Sequence, residues 1–245
     1  MGLFKFNKKG QTADFSQLQT DMHSHLIPGI DDGVENMAMA IEMIKEMQEL
    51  GYTKLITTPH IMWDMYKNTR DIILSKLEIL QKEVSNAGLY IEIGAAAEYF
   101  LDEHVAALLK DKIPLLTIHQ NWVLCEFSMA FPAHGLKEIL FEMQMQGYQP
   151  VIAHPERYIY LENSKGFYEE LKNIGCLFQL NLTSMTGFYG HTPKELAKYL
   201  LKNEYYDLVG TDLHNKKYLE ALKSPKLDGI LKNICSSNKI RNKEL

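Results

Sequence analysis

The sequence contains little cysteine. Its 245 residues include only Cys125, Cys176 and Cys235, which are far apart and form no CxxC pair. This count excludes a disulfide framework and a zinc cluster built on thiolates, and it suits a reducing compartment. No apolar run approaches the ~18 residues of a membrane span, and no signal-peptide core is present. We therefore expect a cytoplasmic protein.

Basic residues are also fewer than acidic residues. The 26 Lys and Arg residues are outnumbered by 31 Asp and Glu residues, which gives a net charge of −5. This balance argues against a nucleic-acid-binding surface as the main function. Apart from the C-terminal tail, the only compact basic stretch is KFNKKG near the N-terminus. With its phenylalanines it could make weak contact with an anionic membrane surface, but we favour a flexible polar extension over residues 1–19.

Short β-rich runs alternate with amphipathic helical segments from about residue 18 onward, without a linker or an internal repeat. The predicted strands cover residues 18–23, 54–58, 89–96, 122–127, 149–154, 176–181 and 206–211. The predicted helices include residues 34–50, 69–88, 134–147 and 193–203. An unbroken strand–helix series favours a single parallel β/α barrel over residues 20–245, with a doubly wound open sheet as the alternative.

Six of the predicted strands end in a histidine or a carboxylate. These residues are His23, His60, Glu98, Glu126, His154 and Asp212, with His25, Asp31, Asp32 and His214 in the loops that follow. In a β/α barrel all these strand ends lie on one face, so the side chains would meet in one pocket. Any single histidine is more simply explained as a hydrogen-bonded structural residue. Together they predict a metal centre for Mn, Fe or Zn, in which Glu98 or Asp212 could bridge two ions.

The motifs HSH, TTPH, GAAAE, CEFS, IAHPER and TDLH follow one another in this order. With them, and above all with HSHLIPGIDDG and IAHPERY, the sequence resembles the PHP superfamily. Within it, the sequence is most similar to the manganese-dependent protein-tyrosine phosphatases encoded with bacterial capsule and exopolysaccharide genes. The resemblance covers residues 20–235. It implies an α/β fold, a single distorted (β/α)7 TIM-like barrel, with a metal site at the C-terminal ends of the strands.

The resemblance also implies which residues hold metal. Three divalent ions are expected, with Mn²⁺ as the family metal and Fe or Zn as alternatives. The first ligand set is His23, His25, Glu98 and Asp212, the second is Glu98, Glu126 and His154, and the third is Asp32, His60 and His214. Glu98 would be shared between the first two sets. Asp31 would be a neighbour of the ligands, although the sequence alone does not separate it from Asp32.

Substrate contacts are implied less completely. Arg157 matches the family arginine that contacts the phosphate. Relatives commonly carry a second arginine after the last motif, whereas this sequence reads TDLHNKKYLEAL and has no arginine there. Lys217 could substitute, although a lysine is a point charge and cannot make a bidentate contact. Trp63 and Tyr66 could receive a phenyl ring, or could be ordinary packing residues. Asp212 or a metal-bound water would protonate the leaving group.

The implied activity is hydrolysis of phosphotyrosine on a bacterial tyrosine kinase that regulates capsular or exopolysaccharide synthesis. Two alternatives stay open. One is a phosphatase for a small phosphomonoester such as histidinol phosphate, and the other is a catalytically weak metal-binding regulatory partner. The sequence does not distinguish a monomer from an oligomer.

Overall fold

The computed structural model describes residues 12–131, 135–236 and 239–245. Within these ranges it contains nine strands: β1 Thr20–Asp21, β2 Lys54–Thr57, β3 His60–Ile61, β4 Glu92–Ala95, β5 Glu98–Phe100, β6 Trp122–Glu126, β7 Gln149–Ile152, β8 Leu177–Asn181 and β9 Leu208–Gly210. The same ranges contain eight α-helices: α1 Met37–Glu49, α2 Arg70–Asn86, α3 Glu103–Lys110, α4 Leu136–Met145, α5 Gly166–Asn173, α6 His191–Lys202, α7 Lys216–Leu222 and α8 Lys226–Ser236.

All neighbouring strands are parallel, and they form two sheets with the orders β1-β2-β4 and β3-β5-β6-β7-β8-β9. Nine strands stand where seven were predicted, because the predicted strands 54–58 and 89–96 are each followed, after a two-residue break, by a further short strand that was not predicted, β3 and β5. Pro59, which has no N–H to donate, lies between β2 and β3. The register continues across the break, since Thr57 pairs with Ala95 and His60 pairs with Glu98. The two sheets therefore follow one another along a single curled surface.

The first and last strands meet at their carboxyl ends. The backbone N–H of Asp212 donates to the carbonyl of His23 at 2.7 Å, and the N–H of His25 donates to the carbonyl of Leu213 at 2.9 Å. Below them, Thr211 donates through its backbone N–H and its hydroxyl to the buried carboxylate of Asp21, at 2.9 and 2.7 Å. An open doubly wound sheet does not join its first and last strands in this way. The arrangement is the curled parallel β/α barrel that the sequence predicted.

The helices form where apolar residues recur at helical spacing behind a capping side chain. Asn36 accepts a hydrogen bond from the Met39 N–H and starts α1, which buries Ala40, Met43, Ile44 and Met47. Thr69 caps α2 in the same way. Gly51 and Gly88 follow these two helices with positive φ, as glycines at helix ends do. A small apolar cluster fills the inside of the curled sheet beneath the strand ends: Met22, Ile56, Ala96, Ile118, Trp122, Leu124, Val151, Ala153 and Leu208.

Residues 12–19, which we predicted as part of a flexible extension, lie against the rest of the fold. Phe15 is fully buried and its ring stacks on Tyr52 with 5.1 Å between centroids. This packing differs from the prediction because Ala13, Phe15 and Leu18 bury apolar side chains. Residues 1–11 of the predicted extension, for which a weak membrane contact was the less favoured interpretation, lie outside the described residues. In the described part of the chain, no helix is both long and apolar enough to cross a bilayer.

Candidate metal centre

The structure brings the nine predicted metal ligands together at the carboxyl ends of the strands. They extend from His23 after β1 to His214 after β9, and all except Asp32 are buried. The cluster therefore gathers side chains from segments spread over nearly 200 residues of sequence, as expected from the barrel geometry. His154 and Asp212 have positive φ values of 32° and 52°. Such backbone strain in non-glycine residues concentrates at functional sites.

The centre of the cluster is formed by two histidines facing the same two carboxylates. His23 Nε2 lies 3.1 Å from Glu98 Oε2 and 3.2 Å from Asp212 Oδ1. His25 Nε2 lies 3.4 Å from each of the same two oxygens. The two Nε2 atoms are only 3.4 Å apart. The two nitrogens and the two carboxylate oxygens thus converge on one point, an arrangement that suits a bound cation.

A second group surrounds the other oxygen of Glu98. His154 Nε2 lies 3.2 Å from Glu98 Oε1 and 3.6 Å from Glu126 Oε1. His60 Nδ1 also faces these carboxylates, 3.2 Å from Glu98 Oε2 and 3.7 Å from Glu126 Oε2. His60 therefore adjoins both this group and the third one, whereas the resemblance implied only the third. The Nδ1 atoms of His60 and His154 are buried and have no hydrogen-bond partner among the described residues.

The third group contains Asp32. Its Oδ1 lies 3.5 Å from His60 Nε2 and 3.6 Å from His214 Nε2. Its side chain is 52% exposed, in contrast to the rest of the cluster. Asp32 therefore lies at the open side of the site, where its oxygens face the two imidazoles and solvent.

Asp31 has a different role from its neighbour. Its Oδ2 accepts hydrogen bonds from His25 Nδ1 at 2.8 Å and from the His60 N–H at 3.0 Å, and its Oδ1 accepts from the Gly33 N–H at 3.0 Å. Both oxygens are thus used inside the protein. Asp31 fixes the ring of His25 with Nε2 toward the cluster, the role of a carboxylate behind a metal-binding histidine. The structure in this way separates the two aspartates that the sequence could not.

Other polar groups orient the remaining histidines. Gln179 Oε1 accepts from His23 Nδ1 at 2.9 Å and from the His154 N–H at 3.2 Å, and His214 Nδ1 donates to the Asp212 carbonyl at 2.9 Å. Sequence reasoning missed Gln179 and its neighbour Asn181. Their signal was present in CLFQLN, where two polar residues alternate at the end of an apolar strand.

The electrostatics of the cluster favour divalent cations. Burial alone would lower the pKa of His23, but the charges of Glu98 and Asp212 outweigh it and raise this pKa to about 10. Burial, reinforced by the charge of Glu98, raises the pKa of Glu126 well above its usual range. Three buried carboxylates so close together need positive charge, and imidazole with carboxylate is a donor set for Mn, Fe or Zn. Eight of the nine residues form three overlapping groups, in each of which the donor atoms lie within 4.8 Å of one another: His23, His25, Glu98 and Asp212; His60, Glu98 and Glu126; and His25, Asp32, His60 and His214. His154 is in none of these groups but lies beside the second, with its Nε2 3.2 Å from Glu98 Oε1. The residues therefore fit metal ions.

Arg157 lies at the mouth of this cluster. Its Nη1 donates to Asp212 Oδ2 at 2.5 Å, and its guanidinium lies 4.6 Å from the centroid of the Tyr189 ring. Asn181 Nδ2 donates to the same Asp212 oxygen at 3.1 Å and to the Tyr189 hydroxyl at 3.0 Å. These contacts hold the guanidinium beside the cluster, and 22% of the side chain stays exposed.

The four predicted substrate contacts divide into two pairs. A cavity of about 200 Å³ over the cluster is lined by Arg157 and Tyr66, whose ring stacks on His60. Lys217 and Trp63 do not line it. The Lys217 ammonium lies over the Phe188 ring, 5.3 Å from its centroid, and Trp63 stacks on His104 with 4.0 Å between centroids. The structure therefore does not place Lys217 where a second phosphate-binding arginine would be needed.

Comparison with known proteins agrees with the fold. The structure matches a solved structure from a report of crystal structures of YwqE from Bacillus subtilis and CpsB from Streptococcus pneumoniae. That report describes both proteins as unique metal-dependent tyrosine phosphatases. The TM-score is 0.75 at 25% identity, covering 91% of this chain and 94% of that one. The curated relatives include tyrosine-protein phosphatase CpsB from S. pneumoniae, 32% identical over 203 residues, which are 80% of this chain and 82% of the relative.

A second relative, tyrosine-protein phosphatase CpsB from Streptococcus agalactiae, is 29% identical over 201 residues, covering 80% of this chain and 82% of the relative. The family model described as capsular polysaccharide synthesis, CpsB/CapC, matches residues 19–238. This match confirms the resemblance that the motifs indicated. The chain belongs to the CpsB/CapC family of capsular polysaccharide synthesis.

Proposed function

We propose that this chain is a metal-dependent phosphatase that hydrolyses phosphotyrosine in proteins. The observation that supports it most directly is the buried cluster of histidines and carboxylates with Arg157 at its mouth. Such a cluster can hold several cations, and the guanidinium beside it matches the geometry of a phosphoryl group. The relatives named as tyrosine-protein phosphatases support the same substrate class.

We further propose that the natural substrate is a bacterial tyrosine kinase that regulates capsular or exopolysaccharide synthesis. The family's description as capsular polysaccharide synthesis supports this choice. We place the reaction in the cytoplasm, a compartment that the free thiols of Cys125, Cys176 and Cys235 suit.

We assign the metal ligands as three Mn²⁺ sets. The first is His23, His25, Glu98 and Asp212, the second is Glu98, Glu126 and His154, with His60 adjoining, and the third is Asp32, His60 and His214. Bound divalent ions supply Lewis-acid stabilisation of phosphoryl oxygens and a water of lowered pKa. Glu98 suits a bridging role because its two oxygens face different groups of histidines.

Arg157 would bind the equatorial oxygens of the phosphoryl group and stabilise their charge as the bond to the leaving group breaks. Tyr66, stacked on His60, would lie beside the substrate's ring. A phenol leaving group has a pKa of about 10 and therefore needs less protonation than an alkyl alcohol. Asp212 is the weaker of the two predicted proton donors. Its Oδ1 faces His23 and His25, while its Oδ2 accepts from Arg157 and Asn181, which leaves no oxygen free for the leaving group.

The test is the metal content of the purified protein, measured together with hydrolysis of a phosphotyrosine peptide before and after chelation. We expect about three ions per chain, loss of hydrolysis on chelation and recovery with Mn²⁺. Histidinol phosphate is assayed in parallel. Hydrolysis of that ester alone would replace the proposal with the small-ester alternative. Bound metal without activity on either compound would favour the regulatory partner.

A further inference from the structure

A second and larger space adjoins the cavity over the metal cluster. It has a volume of about 450 Å³, compared with about 200 Å³ for the cavity. Met62, Met65, Glu126 and Met129 line both spaces, so the two lie side by side. A molecule with its phosphoryl group beside Arg157 can therefore extend into the second space, which we call the side groove.

The boundary between the cavity and the side groove is a tight turn. The N–H groups of Met65 and Tyr66 both donate to the Met62 carbonyl, at 3.0 and 2.7 Å. The turn presents Met62 and Met65 to both spaces, and Met65 is 66% exposed. Methionine is flexible and polarizable, so it can pack against many kinds of side chain. The turn also carries the exposed carboxylate of Asp64 into the lining of the side groove.

The charges of the side groove have one sign. Asp64 and Asp102 line it, together with the proposed metal ligand Glu126, and none of its lining residues within the described part of the chain is lysine or arginine. Asp102 stays in place because it caps α3, accepting from the Val105 N–H at 3.0 Å. The cation near the cluster, Arg157, lines the other space. The phosphate of a ligand would therefore face Arg157, and a positive charge on the same ligand would face Asp64 and Asp102.

We propose that the side groove binds the residues next to the phosphotyrosine of the substrate, and that it selects basic flanking residues over acidic ones. This inference rests on the proposed phosphotyrosine activity. The methionines suit the aliphatic stem of a lysine or arginine, while Asp64 and Asp102 lie near its charged end. Because these carboxylates are partly or fully exposed, the preference is modest and weakens as ionic strength rises.

The experiment compares two phosphotyrosine peptides of identical core, one flanked by lysines and the other by glutamates. With the Mn²⁺-loaded protein, we expect kcat/KM to be about fivefold higher for the lysine peptide at low salt, as two exposed ion pairs allow. Asp64→Lys should bring the ratio to one or below, and Asp64→Asn should give an intermediate ratio. Glu78→Lys, which reverses an exposed charge on α2 away from the groove, is the matched control and should keep the wild-type ratio.

Each ratio is measured within a single preparation, so a change in the amount of active enzyme does not affect it. Equal kcat/KM for the two peptides in the wild type would overturn the inference while leaving the proposed function intact. A ratio that Asp64→Lys and Glu78→Lys change equally would do the same, because the effect would then come from overall charge. Failure to hydrolyse either peptide would overturn the proposed function itself, and the inference with it.

Discussion

Arg157 donates a hydrogen bond from Nη1 to Asp212 Oδ2 across 2.5 Å, and this pair connects the mouth of the site to its centre. The other oxygen of Asp212 lies 3.2 Å from His23 Nε2. One carboxylate therefore faces a guanidinium on one side and the proposed metal ligands on the other. Changes at Asp212 should affect both metal and substrate, whereas changes at Arg157 should affect substrate alone.

Replacing Arg157 with alanine separates the two functions. We expect Arg157→Ala to lower kcat/KM for a phosphotyrosine peptide by about 10²–10³-fold, because a charged donor to the phosphoryl oxygens is lost. Metal content should stay at the wild-type level, since Arg157 is not one of the proposed ligands. Elemental analysis and steady-state kinetics on the same sample measure both quantities. Loss of metal would show that Arg157 has a different role, and Arg157→Lys, which keeps the charge but not the planar fork, should recover only part of the rate.

The adjacent aspartates give a matched pair of variants. Asp31→Ala removes the acceptor for His25 Nδ1, so we expect weaker Mn²⁺ binding by about 10–100-fold, with activity regained at high Mn²⁺. Asp32→Ala removes a proposed ligand, and added Mn²⁺ should not restore its activity. Titration of activity with Mn²⁺ in both variants makes the comparison. If the two titrations coincide, the distinction between ligand and orienting residue is wrong.

The sequence could predict which residues form the cluster, because membership depends on the residue types at the strand ends. His23, Glu98 and His154 follow or begin parallel strands, and the barrel brings such ends together whatever the details of packing. The short additional strands β3 and β5 were not predicted, although Pro59 was a visible signal for the break before β3. The interruption at Ala96 and Ala97 had no comparable signal.

Side-chain direction was not predictable from the sequence. Asp31 and Asp32 are adjacent and identical in type. Asp31 nevertheless accepts hydrogen bonds from His25, His60 and Gly33, whereas Asp32 faces the opening of the site. Lys217 follows the last motif closely, but its ammonium packs over Phe188 instead of entering the cavity. Such choices depend on neighbours that are distant in sequence and become known only with the fold.

Glu156 gives the metal-free protein a pH-dependent stability. Its buried carboxylate accepts from the Asn181 N–H, the Ser184 hydroxyl and the Tyr206 hydroxyl at 2.8–2.9 Å. Burial outweighs these bonds and raises its pKa from 4.5 to about 7. The folded state thus binds more protons than the unfolded state between these values, so this contribution to stability is lost as pH rises through about 7.

Glu156→Gln should remove that dependence, since the amide cannot ionise and Tyr206 can accept from its NH₂ group. Between pH 5 and pH 8 we expect the wild type to lose on the order of 2–3 kcal/mol in unfolding free energy relative to the variant. Urea unfolding of both chelated proteins at the two pH values measures the difference. Parallel behaviour of the two proteins would show that Glu156 does not change its protonation over this range.

The proposed bridging role of Glu98 predicts unequal metal losses. Its Oε2 lies within 3.4 Å of nitrogens of His23, His25 and His60, and its Oε1 lies 3.2 Å from His154 Nε2. Glu98→Gln lowers the charge of two ligand sets at once, so we expect it to lose about two of the three proposed Mn²⁺ ions. Asp32→Asn changes a residue of only one set and should lose one ion. Elemental analysis after equilibration with Mn²⁺ gives both counts, and equal counts would mean that Glu98 does not bridge.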